Sequence, residues 1–208
     1  MMDCFVTCVS SPSGGGKTAV VQRLGQLRPD AVTLYFDDYD DIGEGANIHP
    51  ESLRQRIRDG LDYNAWQMPG LIRDVALLKQ GQTIRSPSNG AAIAPQPLVF
   101  LDAALGRANA ALRPYLDFAV YIDTPLDVAL ARRLQRDYFG EKQRSATEAL
   151  HAIHAMTAAY LDWARDAYLD LDRQVKPQCD LVVDGCLAVD QLAQQILTAV
   201  QEKNMTTL

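Results

Sequence analysis

Short apolar runs alternate with longer amphipathic stretches along the chain. Five of these runs are rich in β-branched residues and apolar at nearly every position, which is typical of strands covered on both faces of a sheet. They span residues 4–10, 31–36, 98–102, 118–124 and 180–184. Because these runs alternate with helical stretches, the pattern predicts an α/β fold with a parallel sheet.

The stretches between the predicted strands carry apolar residues at the spacing of a helix face. They predict helices at 18–27, 53–59, 70–80, 126–137, 145–171 and 189–203, whereas the Pro, Gly and Asn of residues 86–97 predict a loop. No repeat or Pro/Gly-rich linker interrupts the alternation. We therefore expect residues 1–208 to form one domain, a three-layer doubly wound α/β fold with five parallel strands.

Composition and charge narrow the range of partners. Of the 208 residues, 48% are hydrophobic and 22% are charged, which is ordinary for a globular protein. The formal net charge of -6 attracts neither nucleic acid nor an anionic membrane, so an anionic ligand needs a local site. Residues 1–10 lack a secretory signal, and no apolar run approaches the ~20 residues of a membrane span. We expect a cytoplasmic protein without nucleic-acid or membrane partners, and the oligomeric state stays open, a homodimer included.

The strongest chemical signal is the segment Ser-Pro-Ser-Gly-Gly-Gly-Lys-Thr at residues 11–18, between the first predicted strand and the first helix. Glycines there let successive backbone amides turn toward an anion, and the new helix adds its positive end. The pattern is typical of a phosphate-binding loop, in which Lys17 contacts the β- and γ-phosphates of ATP and Thr18 ligates Mg²⁺. We call residues 11–18 the phosphate loop. Its predicted nucleotide-binding residues are Ser13, Gly14, Gly15, Gly16, Lys17 and Thr18.

One position of this loop departs from the usual GxxxxGK(S/T) pattern, because Ser11 occupies the place of the first glycine. Serine is acceptable there if the residue keeps ordinary dihedral angles. The alternative interpretation of the segment is a flexible Gly-rich turn that binds nothing.

Two predicted strands end in carboxylates at the sheet edge where open α/β folds bind ligands. Asp102 follows the third strand's apolar run and is a candidate to hold Mg²⁺ or its water, although apolar strands ending in Asp are common. Asp37 follows the second strand and is the candidate base for an acceptor hydroxyl, with Asp38 as the near alternative. A solvated acidic turn is the other interpretation, since the acidic run continues to Glu44.

A basic cluster follows the fourth predicted strand. Arg132 and Arg136 lie one helical turn apart and share a helix face, and Arg133 adjoins them. Cations that close over the γ-phosphate stabilise charge on its oxygens and exclude water, which keeps a kinase from hydrolysing ATP. We predict a lid around residues 132–145, with Arg132 and Arg136 catalytic and Arg133 nucleotide-binding; an exposed basic helix face is the alternative.

Together these motifs resemble the uridine kinase and phosphoribulokinase branch of the P-loop kinases, which also includes nicotinamide riboside and pantothenate kinases. The likeness covers the phosphate loop, residues 36–39 and 63–81, the lid helix with the strand before it, and residues 179–185. It implies the P-loop nucleoside triphosphate hydrolase fold and a kinase that uses ATP and Mg²⁺. It also implies catalytic roles for Lys17 and for Asp37, the latter as base, and an acceptor that is a small metabolite: a nucleoside, a vitamin or a sugar-like molecule.

The departures from the family pattern concern the acceptor. Residues 66–69 are Trp-Gln-Met-Pro where family members carry Asp-His-Pro, and Asp102 precedes two alanines where they carry Glu-Gly. The Gly-Arg pair that ends at Arg107 is similar to the substrate arginine of deoxynucleoside kinases. The predicted acceptor-binding residues are Asp38, Tyr39, Trp66 and Arg107. The acceptor itself stays unassigned.

Two other functions fit the same loop. A regulatory P-loop switch would use Lys17, Thr18 and Asp102 to gate a partner, but the chain lacks the guanine-reading Asn-Lys-x-Asp motif. A non-catalytic nucleotide-binding protein is supported by Ser11 and by the altered end of the third strand, and opposed by the intact Lys-Thr pair and the lid arginines. The fold does not decide among them, because P-loop domains carry many activities.

Overall fold

Five parallel strands form the central sheet of the computed structural model, which describes residues 4–39, 50–139 and 145–207. Within these ranges the strands are β1 (Phe5–Ser10), β2 (Ala31–Tyr35), β3 (Ile84–Arg85), β4 (Ala92–Ile93), β5 (Leu98–Asp102), β6 (Phe118–Asp123) and β7 (Leu181–Asp184). The central sheet has the order β2-β5-β1-β6-β7, and every neighbouring pair is parallel. The predicted doubly wound parallel sheet is confirmed.

Helices cover both faces of this sheet. In the same ranges they are α1 (Lys17–Leu27), α2 (Pro50–Asp59), α3 (Pro69–Lys79), α4 (Leu126–Tyr138), α5 (Ala146–Ala159), α6 (Arg165–Gln174) and α7 (Val189–Thr207). On one face α1 and α7 bury Leu24 and Ile196, and on the other α3 and α6 bury Leu78 and Leu171, which completes three layers. None of these helices is both long and apolar enough to cross a membrane.

Two local differences from the sequence prediction have physical causes. The predicted loop 86–97 contains β4, which pairs antiparallel with β3; strands of two residues are too short to show a period-two pattern. The predicted helix 145–171 continues to Gln174 and contains a π-helical turn, Tyr160–Ala164, between α5 and α6. Such a turn leaves the periodicity of each half intact, so the sequence pattern does not reveal it.

The register of the strands places their ends at one edge of the sheet. Asp102 at the end of β5 pairs with Val9 of β1 and with Tyr35 of β2, so these three strands end side by side. On the other side of β1, Ser10 pairs with Tyr121 of β6. The turns that follow the strands therefore meet at the carboxyl edge, where open α/β sheets bind ligands.

A buried hydrogen-bond cluster joins α6 to the turn before α3. Asp170 is 3% exposed and accepts hydrogen bonds from the Tyr63 hydroxyl at 3.0 Å and from the Gln174 amide at 2.6 Å. Burial, and after it the charge of Asp170, raise the pKa of the Tyr63 hydroxyl above its ordinary value. Tyr63 therefore keeps its proton and remains a donor to the carboxylate.

We expect Tyr63→Phe to lower the free energy of unfolding by about 1–3 kcal/mol, because the buried Asp170 carboxylate loses a donor. Urea unfolding followed by circular dichroism measures the change. Tyr115→Phe is the matched control, since Tyr115 is half-buried and its hydroxyl makes no hydrogen bond within the described ranges. Equal stability of the Tyr63→Phe protein and the wild type would contradict the role given to this cluster.

Candidate active site

The phosphate loop connects the end of β1 to the start of α1 at the carboxyl edge. Gly14 and Gly16 have φ angles of 84° and 104°, which favour glycine. Gly14 also packs against α4, because a Cβ at this position would lie 2.2 Å from the Ala129 carbonyl oxygen. Gly16 is the N-cap of α1, so the positive end of that helix begins at the loop.

Ser11, the departure from the usual motif, fits the loop without strain. It is fully buried, and among the described residues only Met68 has a positive φ outside glycine, so Ser11 keeps the ordinary dihedral that serine requires. Its hydroxyl donates to the Pro12 carbonyl at 3.1 Å. A Cβ at Gly15 would lie 2.5 Å from the Ser11 oxygen, so the second glycine of the run makes room for this side chain.

Lys17, Thr18 and Asp102 meet where the loop passes the end of β5. The Thr18 hydroxyl donates to Asp102 Oδ2 at 2.6 Å, and Lys17 Nζ lies 3.9 Å from Asp102 Oδ1. The Asp102 side chain is 10% exposed; this burial raises its pKa, and the charge of Lys17 and the Thr18 hydrogen bond partly oppose the rise. A hydroxyl beside a carboxylate supplies the hard oxygen ligands that Mg²⁺ prefers, so these residues fit that metal.

A cleft of about 400 Å³ opens beside the phosphate loop. Its wall is formed by Ser13, Gly14, Gly16, Lys17, Thr18, Ala19, Asp37, Arg132 and Arg136. Pockets for small molecules have volumes of roughly 300–1,000 Å³, so a compact ligand fits here. The cleft wall thus brings together five of the six predicted nucleotide-binding loop residues, all but Gly15, with the candidate base and two of the lid arginines.

Asp37 lies on the 3-10 turn Phe36–Asp38 that follows β2. It is exposed and forms part of the cleft wall. The hydrogen bond from Arg136 to Asp137 raises the pKa of Arg136, and the charge of Asp37 adds to this rise, so Asp37 lies within electrostatic reach of the lid helix. Burial, and after it the neighbouring Asp74 carboxylate, raise the pKa of the Tyr39 hydroxyl; the charge of Asp38 adds only a small part.

Arg132 and Arg136 enter the cleft wall from α4 with different anchors. Arg132 Nη1 donates to the Gly185 carbonyl at 2.9 Å, and Arg136 Nε donates to Asp137 Oδ1 at 2.7 Å. Arg132 is thereby anchored to the turn after β7. The Arg136 side chain is 60% exposed and pairs with the next residue of its own helix, so this contact restrains it only weakly.

Arg133, predicted to bind nucleotide, has a different environment. Its Nη1 donates to the Tyr168 hydroxyl at 2.9 Å, and its Nε lies 3.4 Å from Asp137. Arg133 is not part of the described cleft wall, although its Cβ packs beside Gly14, and its guanidinium contacts α6. Residues 140–144 of the predicted lid, like the acidic run at residues 40–44, lie outside the described residues.

The guanidinium of Arg107 does not reach the carboxyl edge. It pairs with Asp180 at 2.7 Å and donates to the carbonyl oxygens of Asp117 and Gln178. These three partners precede β6 and β7, so they lie at the opposite, amino edge of the sheet. The structure does not support the predicted acceptor contact, because the charge of Arg107 is used to join the starts of two strands.

Tyr39 and Trp66, two further acceptor candidates, pack into the adjoining core. Tyr39 is 5% exposed, and its hydroxyl donates to the buried Asp74 carboxylate at 3.2 Å. The Trp66 ring stacks on Tyr63, with ring centroids 6.0 Å apart. Acceptor contacts of Asp38, Tyr39 and Trp66 stay predictions.

Three residues at the site lie in segments that resemble the family but receive no role in the sequence analysis: Thr124, Asp137 and Gly185. The Thr124 hydroxyl binds the phosphate loop, and the other two accept hydrogen bonds from the lid arginines. Thr124 and Gly185 each follow a strand directly, at the carboxyl edge. That position is the signal that points to them.

Comparison with known proteins identifies the family of the chain. Residues 6–184 match the Phosphoribulokinase / Uridine kinase family. The chain is 25% identical to the uridine kinase of Salmonella paratyphi A over 94% of this chain and 93% of that protein. It is also 25% identical to the uridine kinase of Klebsiella pneumoniae subsp. pneumoniae over 93% of this chain and 94% of that protein.

The fold is shared with a solved structure from Silicibacter sp. TM1040, a protein proposed to be a fructose transport system kinase. The TM-score is 0.54 at 15% identity, over 88% of this chain and 91% of the other. This likeness concerns the fold alone. Because the family match extends from β1 to the end of β7, the chain belongs to the phosphoribulokinase / uridine kinase family.

Proposed function

We propose that the protein transfers the γ-phosphate of ATP to a hydroxyl group of a small metabolite. The class of small-molecule kinase follows from its family. The acceptor hydroxyl and the parts played by individual residues are our proposal. The observation that carries it is that Asp37 lines the same cleft as Lys17, Thr18 and Arg136.

The nucleotide would bind along the phosphate loop. Backbone amides of the loop and the N-terminal end of α1 would bind phosphate oxygens, and Lys17 would contact the β- and γ-phosphates. Thr18 and Asp102 would hold Mg²⁺, Asp102 directly or through a water molecule. When bound, Mg²⁺ supplies positive charge that offsets the charge developing on the transferred phosphoryl group.

Asp37 would orient the acceptor hydroxyl and take its proton as the bond to phosphorus forms. Its place in the cleft wall supports Asp37 over Asp38, which is not part of the described wall. Arg132 and Arg136 would stabilise the charge on the γ-phosphate oxygens and exclude water, as part of a lid at residues 132–145.

The acceptor class we propose is a nucleoside, a vitamin or a sugar-like metabolite. The curated relatives are uridine kinases, but residues 66–69 of this chain lack the Asp-His-Pro of the family pattern. The Trp66 ring of this segment is stacked on Tyr63. The search for the acceptor must therefore extend beyond uridine.

Acceptor-dependent ADP release distinguishes a kinase from the two alternative functions. A regulatory switch and a non-catalytic nucleotide-binding protein would both lack it, and family membership favours the kinase. We expect a panel of nucleosides, vitamins and sugars with MgATP to give ADP only with the true acceptor. A panel that leaves ADP release at the acceptor-free level throughout would count against the kinase.

Asp37→Asn should reduce acceptor-dependent turnover by about 10² to 10⁴-fold, the usual size of general-base assistance, with little change in MgATP affinity. The amide keeps the shape of the side chain but has no basicity. Asp166→Asn on α6 is the matched control, because Asp166 is an exposed acid outside the cleft wall. A loss at Asp38→Asn instead would move the base by one residue, and a loss below tenfold in both variants would refute a base on this turn.

Lys17→Met should weaken MgATP binding by roughly 10- to 100-fold and abolish turnover, because the other residues of the loop carry no cation and a hydrogen bond to a charged group contributes about 1.5–3 kcal/mol. Isothermal titration calorimetry measures the affinity. Lys203→Met, on an exposed lysine near the end of α7, is the control. Unchanged nucleotide affinity in Lys17→Met would remove the basis of the nucleotide site.

We expect Arg132→Gln or Arg136→Gln to lower kcat by a larger factor than it raises KM. The reason is that cations that meet developing charge act mainly in the transition state. The smallest effect is expected at Arg133, which donates to Tyr168. Steady-state kinetics with the true acceptor measures all three. Wild-type kcat in every single variant would contradict the proposed lid.

A further inference from the structure

Thr124, in the turn after β6, contacts the phosphate loop. It is 4% exposed, and its hydroxyl donates to the Gly15 carbonyl oxygen at 2.9 Å. The two residues are 109 positions apart in sequence, so the contact depends on the tertiary structure. Thr124 is not part of the described cleft wall, so it would act on a ligand only through the loop.

This hydrogen bond sets the direction of one peptide group of the loop. The Gly15 carbonyl and the Gly16 N–H belong to one planar trans peptide, so they point in opposite directions. A hydroxyl that holds the Gly15 oxygen therefore turns the Gly16 N–H away from Thr124. Gly16 lines the cleft, and without a Cβ its backbone has few intrinsic restraints, so an external anchor matters here.

Gly185, after β7, confines the Thr124 hydroxyl from another side. Gly185 is buried, and a Cβ at this position would lie 1.8 Å from Thr124 Oγ1. Its N–H donates to the Asp123 carbonyl at 2.9 Å, and its own carbonyl accepts from Arg132. The backbone of Gly185 thus packs against the hydroxyl and leaves it little room to turn from Gly15.

We propose that Thr124 is a positioning residue that holds the Gly16 amide toward the nucleotide phosphates. Backbone amides bind phosphate best when they already point at it, because reorienting a peptide group on binding costs part of the affinity. The proposal rests on the nucleotide-binding part of the proposed function and needs no acceptor. It applies equally to ATP and ADP, because both place phosphates in the loop.

The test compares the dissociation constants of MgATP and MgADP, measured by calorimetry, in variants that keep or remove the hydroxyl. Thr124→Val keeps the shape of the side chain but loses the donor. We expect both dissociation constants to rise about 10- to 100-fold, the size expected when the Gly16 amide loses its hydrogen bond to a charged phosphate. Thr124→Ser restores the donor and should stay within about threefold of wild type.

Thr7→Val is the matched control. Thr7 lies in β1, is fully buried, and its hydroxyl has no hydrogen-bond partner in the part of the chain that the structure describes. Removing this hydroxyl is the same chemical change in the same core, so nucleotide affinity should not change. The ¹H–¹⁵N resonance of Gly16 in the nucleotide-free protein adds a second measurement: it should shift in Thr124→Val and stay near its wild-type position in Thr124→Ser.

Two results would leave Thr124 with a packing role only. One is a folded Thr124→Val protein whose nucleotide affinity stays within threefold of wild type; the other is a Thr124→Ser protein that loses as much nucleotide affinity as Thr124→Val. If Thr124→Val does not fold, the nucleotide affinities of Thr124→Ala and Thr124→Ser are compared instead, because both variants lack the methyl group and only Ser keeps the donor. Equal affinities of these two variants would overturn the proposal. Failure of the proposed function is visible separately, as a wild-type protein that binds neither MgATP nor MgADP.

Discussion

The parallel pairing of β5 with β1 and β2 is the constraint on which the site depends. The phosphate loop leaves β1, Asp102 ends β5 and Asp37 follows β2, so these groups meet only if the three strands end together. Side chains alternate between the two faces of a strand, and a slip of β5 by one residue would turn Asp102 to the opposite face. The apolar side chains that bury both faces therefore determine the geometry of the polar site as well as stability.

Close packing around glycines couples the loop to the helix that carries the lid arginines. Gly14 touches the backbone of α4 at Ala129, and a side chain at this position would force the two apart. Gly185 makes a comparable contact with Thr124 while its carbonyl anchors Arg132. The loop, the turn after β6, the turn after β7 and α4 thus form one packed unit, in which a displacement of one part changes the position of the others.

Local electrostatics, and not the total charge, decide what this protein can bind. The chain carries a formal net charge of -6, yet the cleft wall contains Lys17, Arg132 and Arg136. Carboxylates accompany two of these cations: Asp102 lies 3.9 Å from Lys17, and Asp137 pairs with Arg136. An anionic ligand would bind where the three cations converge.

The sequence by itself determined the strands of the central sheet, most helix positions and the phosphate loop, because each is encoded by residues close together in the chain. Hydrophobic periodicity and the run of glycines before Lys17 are signals of this kind. The tertiary structure alone decided that Arg107 joins the starts of β6 and β7, that Arg133 binds Tyr168, and that Thr124 holds the Gly15 carbonyl. These contacts depend on strand register and on the direction of each side chain, which are settled only when distant segments pack against one another.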